Sequence, residues 1–281
     1  MISPLTALTT VSEVIKFKKT LDELLLEISP GCRSDTVRRL QSLSSAMKGV
    51  VGSIQYDLTE SHFGRSEAQI MSFEALYIAS ATDDVIDETE LRLEEQVAVI
   101  KELLNTIKTG KPTNLGIGQL DMLSILAIDL NARISRSKDP YWFFEEYEIL
   151  AEAAMQQVYG NTSPELTAKI GGGTMAISAV IPYCFDTNID KRFLTAAKLF
   201  GGYFQILDDI MDFRQDKDKR IHTVITDSKN PAEAIKKMKK IATELYRQSM
   251  LHLQPREHAV YTTLDLLMRT KWFADKYLFR K

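Results

Sequence analysis

Cysteine is scarce in this chain: Cys32 and Cys184 are the only two among 281 residues. Two thiols build neither a disulfide framework nor a zinc knuckle, and they fit a reduced, cytoplasmic setting. Glycine and proline are sparse as well, at 13 and 8, too few for the many tight turns of an all-β or dinucleotide-binding fold. The formal net charge is -3, so the chain lacks the cationic surplus that binds nucleic acid through its phosphates. No apolar run approaches the roughly eighteen residues that a membrane-spanning helix needs. The opening stretch, MISPLTALTTVSEVIKFKK, has no basic start followed by an apolar centre and a small-residue cleavage site, so no secretory leader is expected. The four histidines, His62, His222, His252 and His258, fall at no metal-ligand spacing, and no nucleotide-binding glycine loop or nucleophile–base pairing is present.

What is present is helix after helix. With 44% hydrophobic and 26% charged residues, the composition is that of an ordinary globular protein. Leu21, Leu24, Leu25 and Ile28 recur at helical spacing until Pro30-Gly31 stops them, and 37–54 follows behind Ser34 or Asp35 as a cap. Helical patterns then cover 67–88, 96–109 (broken by Gly110-Lys111-Pro112), 121–135, 141–159, 190–214, 231–252 and 257–280. Ser163 is placed to cap a helix over 164–170, and the apolar run 175–185 reads as a buried helix. Between them, Gly171, Gly172 and Gly173 are expected to loosen or bend whatever helix holds them, or else to let two helices pack closely. The expectation is one all-α domain over 1–281, an antiparallel bundle of about ten helices.

Two acidic clusters carry the chemistry. Asp83-Asp84-Val85-Ile86-Asp87 and Asp208-Asp209-Ile210-Met211-Asp212 both spell D-D-x-x-D. Nineteen aspartates scattered at random would produce this pattern roughly 0.09 times in such a chain, so two copies call for a cause. In a helix Asp83 and Asp87 share a face, as do Asp208 and Asp212, and like charges at that spacing repel. Their neighbours are apolar: Leu76, Tyr77, Ile78, Ala79, Val85 and Ile86 around the first, Phe204, Ile206, Leu207, Ile210 and Met211 around the second. Carboxylates set among apolar residues are costly unless a cation compensates them. Hard oxygen donors suit Mg²⁺, which commonly bridges carboxylates to a substrate's phosphates. The plainer alternative is two solvated helix faces.

These clusters resemble the paired aspartate-rich motifs of trans-isoprenyl diphosphate synthases and the wider class I isoprenoid (terpene) synthase superfamily. The likeness is strongest in Phe200-Gly201-Gly202-Tyr203-Phe204-Gln205-Ile206-Leu207-Asp208-Asp209-Ile210-Met211-Asp212. It implies a single helix bundle of the isoprenoid synthase type, with a central cavity and usually homodimeric. It further implies that Asp83, Asp84, Asp87, Asp208, Asp209 and Asp212 hold three Mg²⁺, with Asp83, Asp87, Asp208 and Lys169 catalytic. Gln205, Lys169, Arg214, Lys219 and Arg220 would contact an allylic isoprenyl diphosphate, with Phe73, Tyr77 and Phe204 along its tail. Phe143, Phe144, Met175 and Phe200 are further lining candidates, each equally compatible with core packing. The small Ala79 and Ser80, one turn before Asp83, suit a farnesyl or geranylgeranyl chain.

The departures from that family select among its chemistries. Chain-elongating members carry Gly-Lys-x-x-Arg near the N-terminus, where this chain has Gly31-Cys32-Arg33 and then Arg38-Arg39. They carry an arginine pair after the first motif, where this chain has Glu88-Thr89-Glu90-Leu91-Arg92. The segment after the second motif lacks the usual Gly-Lys and offers Arg214, Lys217, Lys219 and Arg220. By that resemblance the ionising half of the site is expected to be present and the isopentenyl-binding half lost. The resemblance implies a Mg²⁺-dependent terpene synthase that ionises farnesyl or geranylgeranyl diphosphate and quenches the carbocation. The alternatives are a condensing prenyltransferase, head-to-tail or head-to-head (the first motif also resembles phytoene and squalene synthases), and a noncatalytic regulatory subunit.

Overall fold

A computed structural model describes residues 66–88, 91–112, 118–186, 190–219 and 221–254, together with 257, 258, 261, 262 and 265. Among them are eight helices and no strand: α1 (Ser66–Glu88), α2 (Leu93–Thr109), α3 (Gly118–Ile134), α4 (Tyr141–Val158), α5 (Pro164–Ala179), α6 (Ile181–Phe185), α7 (Arg192–Lys219) and α8 (Pro231–Leu251). The all-α expectation holds. No helix among the described residues is long and apolar enough to cross a membrane. The expected helices before residue 66, and most of the one over 257–280, lie outside the described residues.

Helix ends fall where local chemistry puts them. Ser163 accepts a hydrogen bond on its hydroxyl from the Leu166 amide at 3.0 Å, with Pro164 in the first turn of α5. Asn230 receives the Glu233 amide at 3.3 Å at the start of α8, again followed by proline. At the end of α2, Gly110 adopts φ +68°, which an L side chain rarely takes. Asn131 on α3 donates to the Ile107 carbonyl at 2.7 Å and so satisfies one of the last carbonyls of α2.

One expectation is resolved and one changes. The glycine triplet does not end a helix, since α5 runs unbroken through it, and of the two alternatives it is close helix packing that holds. The reason is packing: a Cβ on Gly171 would stand 2.3 Å from the Gly201 carbonyl oxygen, and one on Gly202 would stand 2.9 Å from that of Ala168. Close approach of α5 to α7 supplies the contacts that offset glycine's poor helix propensity. The run 175–185, expected as one helix, is instead the end of α5 and the short α6, separated at Val180. Pro182 has no amide proton to continue the α5 ladder.

α5 is the centre of the arrangement. It packs against α7, α4 and α1; α7 also packs on α8, and α3 lies against α1 and α2. Met71, Ile78, Leu103, Ile107, Leu126, Leu130, Phe143, Ile177, Phe200 and Ile206 belong to one continuous buried cluster. Each such side chain contributes about 1.5–3 kcal/mol when fully removed from water.

Candidate functional site

Three helices place the acidic clusters. α5 and α7 run antiparallel: Gly172 meets the Lys198 carbonyl, Gly171 meets Gly201, and the Thr167 hydroxyl lies 3.5 Å from Asp209 Oδ2. On the other side of α5, Ser72 of α1 donates to the Ser178 carbonyl at 3.0 Å. Three turns further along α1 stands Asp83, near enough to Asp216 of α7 for its negative charge to hold the Asp216 carboxyl up. α1 and α7 therefore run the same way, both against α5, and bring the two aspartate clusters to the same end of the layer.

On α7, Asp208, Asp212 and Asp216 succeed one another at i, i+4 and i+8 along one stripe. Asp208 and Asp212 are exposed, and Asp216 is half-buried. Burial pushes the Asp216 carboxyl up to about 6; Asp212 and Asp83 add to the rise and the Lys219 ammonium opposes it. Asp209 turns away from the stripe into the α5 contact and is buried. There it accepts from Gln205 Nε2 at 3.3 Å, yet burial holds its pKa near 7, with Asp208 and Asp216 contributing. Burial first, and neighbouring carboxylates after it, raise Asp209 and Asp216 toward neutral pH, a rise that a bound cation would oppose.

Asp216 escaped the sequence reading, although its i+4 spacing from Asp212 was there to see. Thr167 escaped it too, and only the antiparallel crossing reveals its partner. Lys169, expected at the diphosphate, is exposed and lies about 160° round α5 from Thr167. Of the basic residues after the second motif, Lys219 acts on Asp216, whereas exposed Arg214 lies about 160° round α7 from Asp212. Arg220 and the side chains of Phe73, Asp84 and Asp87 lie outside the described residues.

The aromatic candidates are mostly core. Phe200 is enclosed by rings, with Tyr261 at 4.3 Å and Phe204 at 5.2 Å between centroids. Phe143 packs on Phe144 and Tyr147 at 5.8 and 5.9 Å. Tyr77 and Met175 are buried in the same core, and Phe204 and Phe144 lie half-buried at its edge.

The donor set suits a hard divalent cation by chemistry, being carboxylate oxygen with hydroxyl and amide oxygen beside it. Among the described residues, however, no three carboxylate, histidine or cysteine side chains gather at metal-holding distance. An ion here would fill its coordination with water, with substrate oxygens, or with side chains outside the described residues. Comparison with known proteins finds no matching family model, no similar curated protein and no similar solved structure.

Proposed function

We propose that this chain is a Mg²⁺-dependent class I terpene synthase of the isoprenoid synthase type, which ionises an allylic isoprenyl diphosphate of farnesyl or geranylgeranyl length and quenches the carbocation to a terpene. The observation that carries this reading is that α1 and α7, distant in sequence, run the same way against α5 and so bring Asp83 and the Asp208–Asp212–Asp216 stripe to one end of the α1–α5–α7 layer, within range for the Asp83 charge to raise the Asp216 carboxyl.

A diphosphate is itself a polyanion, and the stripe of Asp83, Asp208, Asp212 and Asp216 would repel it. Mg²⁺ held between stripe and diphosphate would offset both charges and stabilise the leaving group as the allylic C–O bond breaks. The chain's own parts divide the remaining work. Asp83 on α1 and Asp208, Asp212 and Asp216 on α7 are the residues that would hold the ion, with water and diphosphate oxygens completing its coordination. Lys219 brings positive charge to the same end. Gln205, one turn earlier on α7, donates to Asp209, and Thr167 on α5 reaches the same carboxylate across the helix crossing. The bonding electrons leave with the diphosphate, and the allylic cation is neutralised by losing a proton or capturing water.

The test is to incubate purified protein with Mg²⁺ and farnesyl or geranylgeranyl diphosphate, alone and with isopentenyl diphosphate. Diphosphate release and a volatile terpene without co-substrate are expected, abolished in Asp83→Ala and Asp208→Ala. Longer isoprenyl diphosphates would instead identify the condensing prenyltransferase. Absence of turnover with any allylic diphosphate would favour the regulatory subunit.

A further inference from the structure

α5 and α6 meet at a junction whose chemistry reaches across to α1. In an α-helix each amide donates to the carbonyl four residues before it. For the Ser178 carbonyl that donor would be residue 182, which is proline and has no amide proton. The pyrrolidine ring also crowds the carbonyl four residues back and tilts it away from the helix axis. The chain does not turn aside here: Val180, at the junction, keeps φ -78° and ψ -23°, inside the right-handed helical region. Ser178 is wholly buried, so water does not reach its carbonyl to make up for the proline. α1 supplies a donor. The Ser72 hydroxyl, itself wholly buried, donates to the Ser178 carbonyl at 3.0 Å. The Ser178 hydroxyl donates in turn to the Met175 carbonyl at 3.2 Å.

We propose that Ser72 is a positioning residue: its hydroxyl takes the place of the amide that Pro182 lacks, and by bonding that one carbonyl it sets the register of α1 that brings Asp83 to the acidic end. Ser72 and Asp83 are eleven residues apart, about 16 Å along α1 and about 20° round it, so both lie on one face. The buried residues Met71, Ala75, Ile78, Ala81 and Val85 hold α1 by apolar contact, which is non-directional and fixes rotation weakly. A hydrogen bond to a single carbonyl at a proline junction has both a distance and a direction. A slip of one residue along α1 would swing Asp83 by about 100° and carry its carboxylate off that face. The role given to Asp83 rests on the catalytic reading above; the bond between Ser72 and the proline junction does not.

The experiment is a double-mutant cycle on the full chain, with Ser72→Ala, Pro182→Ala and the two together, read by urea unfolding and by amide hydrogen exchange. Ser72→Ala takes a donor from a buried carbonyl and should lower the folding equilibrium constant roughly tenfold to a hundredfold. In the Pro182→Ala background the new amide serves that carbonyl, so the same substitution should lower it less than about threefold. Amides of 76–87 should exchange about tenfold faster in Ser72→Ala and slow again in the double variant, while those of α8 stay as in wild type. Should Ser72→Ala fail to fold, a folded double variant gives the same result. With farnesyl or geranylgeranyl diphosphate, kcat should fall in Ser72→Ala with KM little changed, and recover in the double variant. Equal losses in both backgrounds, α1 and α8 loosening together, or a kcat indifferent to Ser72→Ala would each overturn the proposal. Unfolding and exchange need no turnover, so an inactive wild type would refute the terpene synthase reading while those two measurements still decide whether Ser72 holds α1 in register.

Discussion

The α5–α7 crossing is the joint on which the acidic end depends, and one methyl group tests it. In Gly171→Ala the new Cβ would stand 2.3 Å from the Gly201 oxygen, 2.5 Å from Gln205 Cβ and 2.9 Å from the Gly201 carbonyl carbon. Two of these neighbours are backbone, so no rotamer change relieves them, and the helices must part by about 1 Å to restore ordinary contact. Overpacking of this kind costs about 3 kcal/mol. Alanine's better helix propensity returns about 1 kcal/mol. The net loss is about 2 kcal/mol, a fall in Tm of about 4–8 °C for a chain of this size. Gly201→Ala should match it, since its Cβ would meet the Gly171 oxygen at 2.2 Å. Gly173→Ala is the control: its neighbour at 3.1 Å is the Leu150 side chain, which can yield. Thermal and urea unfolding followed by circular dichroism measure all three. A Gly171→Ala protein as stable as wild type, or more so, would refute the close crossing and with it the placement of Thr167 on Asp209.

Other predictions address charge and caps. Asp83→Asn should lower the pKa of Asp216, read by carbon NMR of its carboxyl, because the Asp83 charge now raises it; an unchanged titration would mean that the two acidic clusters do not share one end of the layer. Glu74 is fully buried, and burial, opposed by the Arg133 charge and reinforced by the neighbouring Asp129 carboxyl, lifts its pKa from 4.5 to about 8. Between those values the folded state keeps a proton that the unfolded chain has released, so Glu74 makes stability fall as pH rises across that window. The fall is on the order of a few kcal/mol, and Glu74→Gln should flatten it; an unaltered pH–stability slope in the variant would contradict the assignment. Ser163→Ala removes the cap of α5 and should cost about 1 kcal/mol in urea unfolding, with no loss meaning that water replaces the hydroxyl at Leu166.

Helix existence and most helix ends could be read directly from the chain. The apolar spacing in 67–88 and 96–109, Ser163 before Pro164, and Gly110 before Lys111-Pro112 act within a few residues, and the observed helices begin and end close to those signals. The same locality explains the doublet alignments: Asp208 and Asp212 share a face because any α-helix puts i and i+4 together. Gly171, Gly172 and Gly173 leave the choice open at this level, since the local effect of glycine is to weaken a helix and the contact that overrides it comes from Gly201 and Lys198, roughly thirty residues away.

The sequence by itself determined that this is an all-α chain with two aspartate runs, because hydrophobic period, caps and helical spacing are short-range properties. Only the tertiary structure decided that Asp83 stands at the same end as Asp216, that Asp209 turns into α5 beneath Thr167, that Lys169 faces away from that contact, and that Phe200 is spent on core packing. Those outcomes follow from how far apart two helices sit and how they are rotated about their axes, and both quantities are set by side chains distant in sequence meeting at glycine-thin contacts.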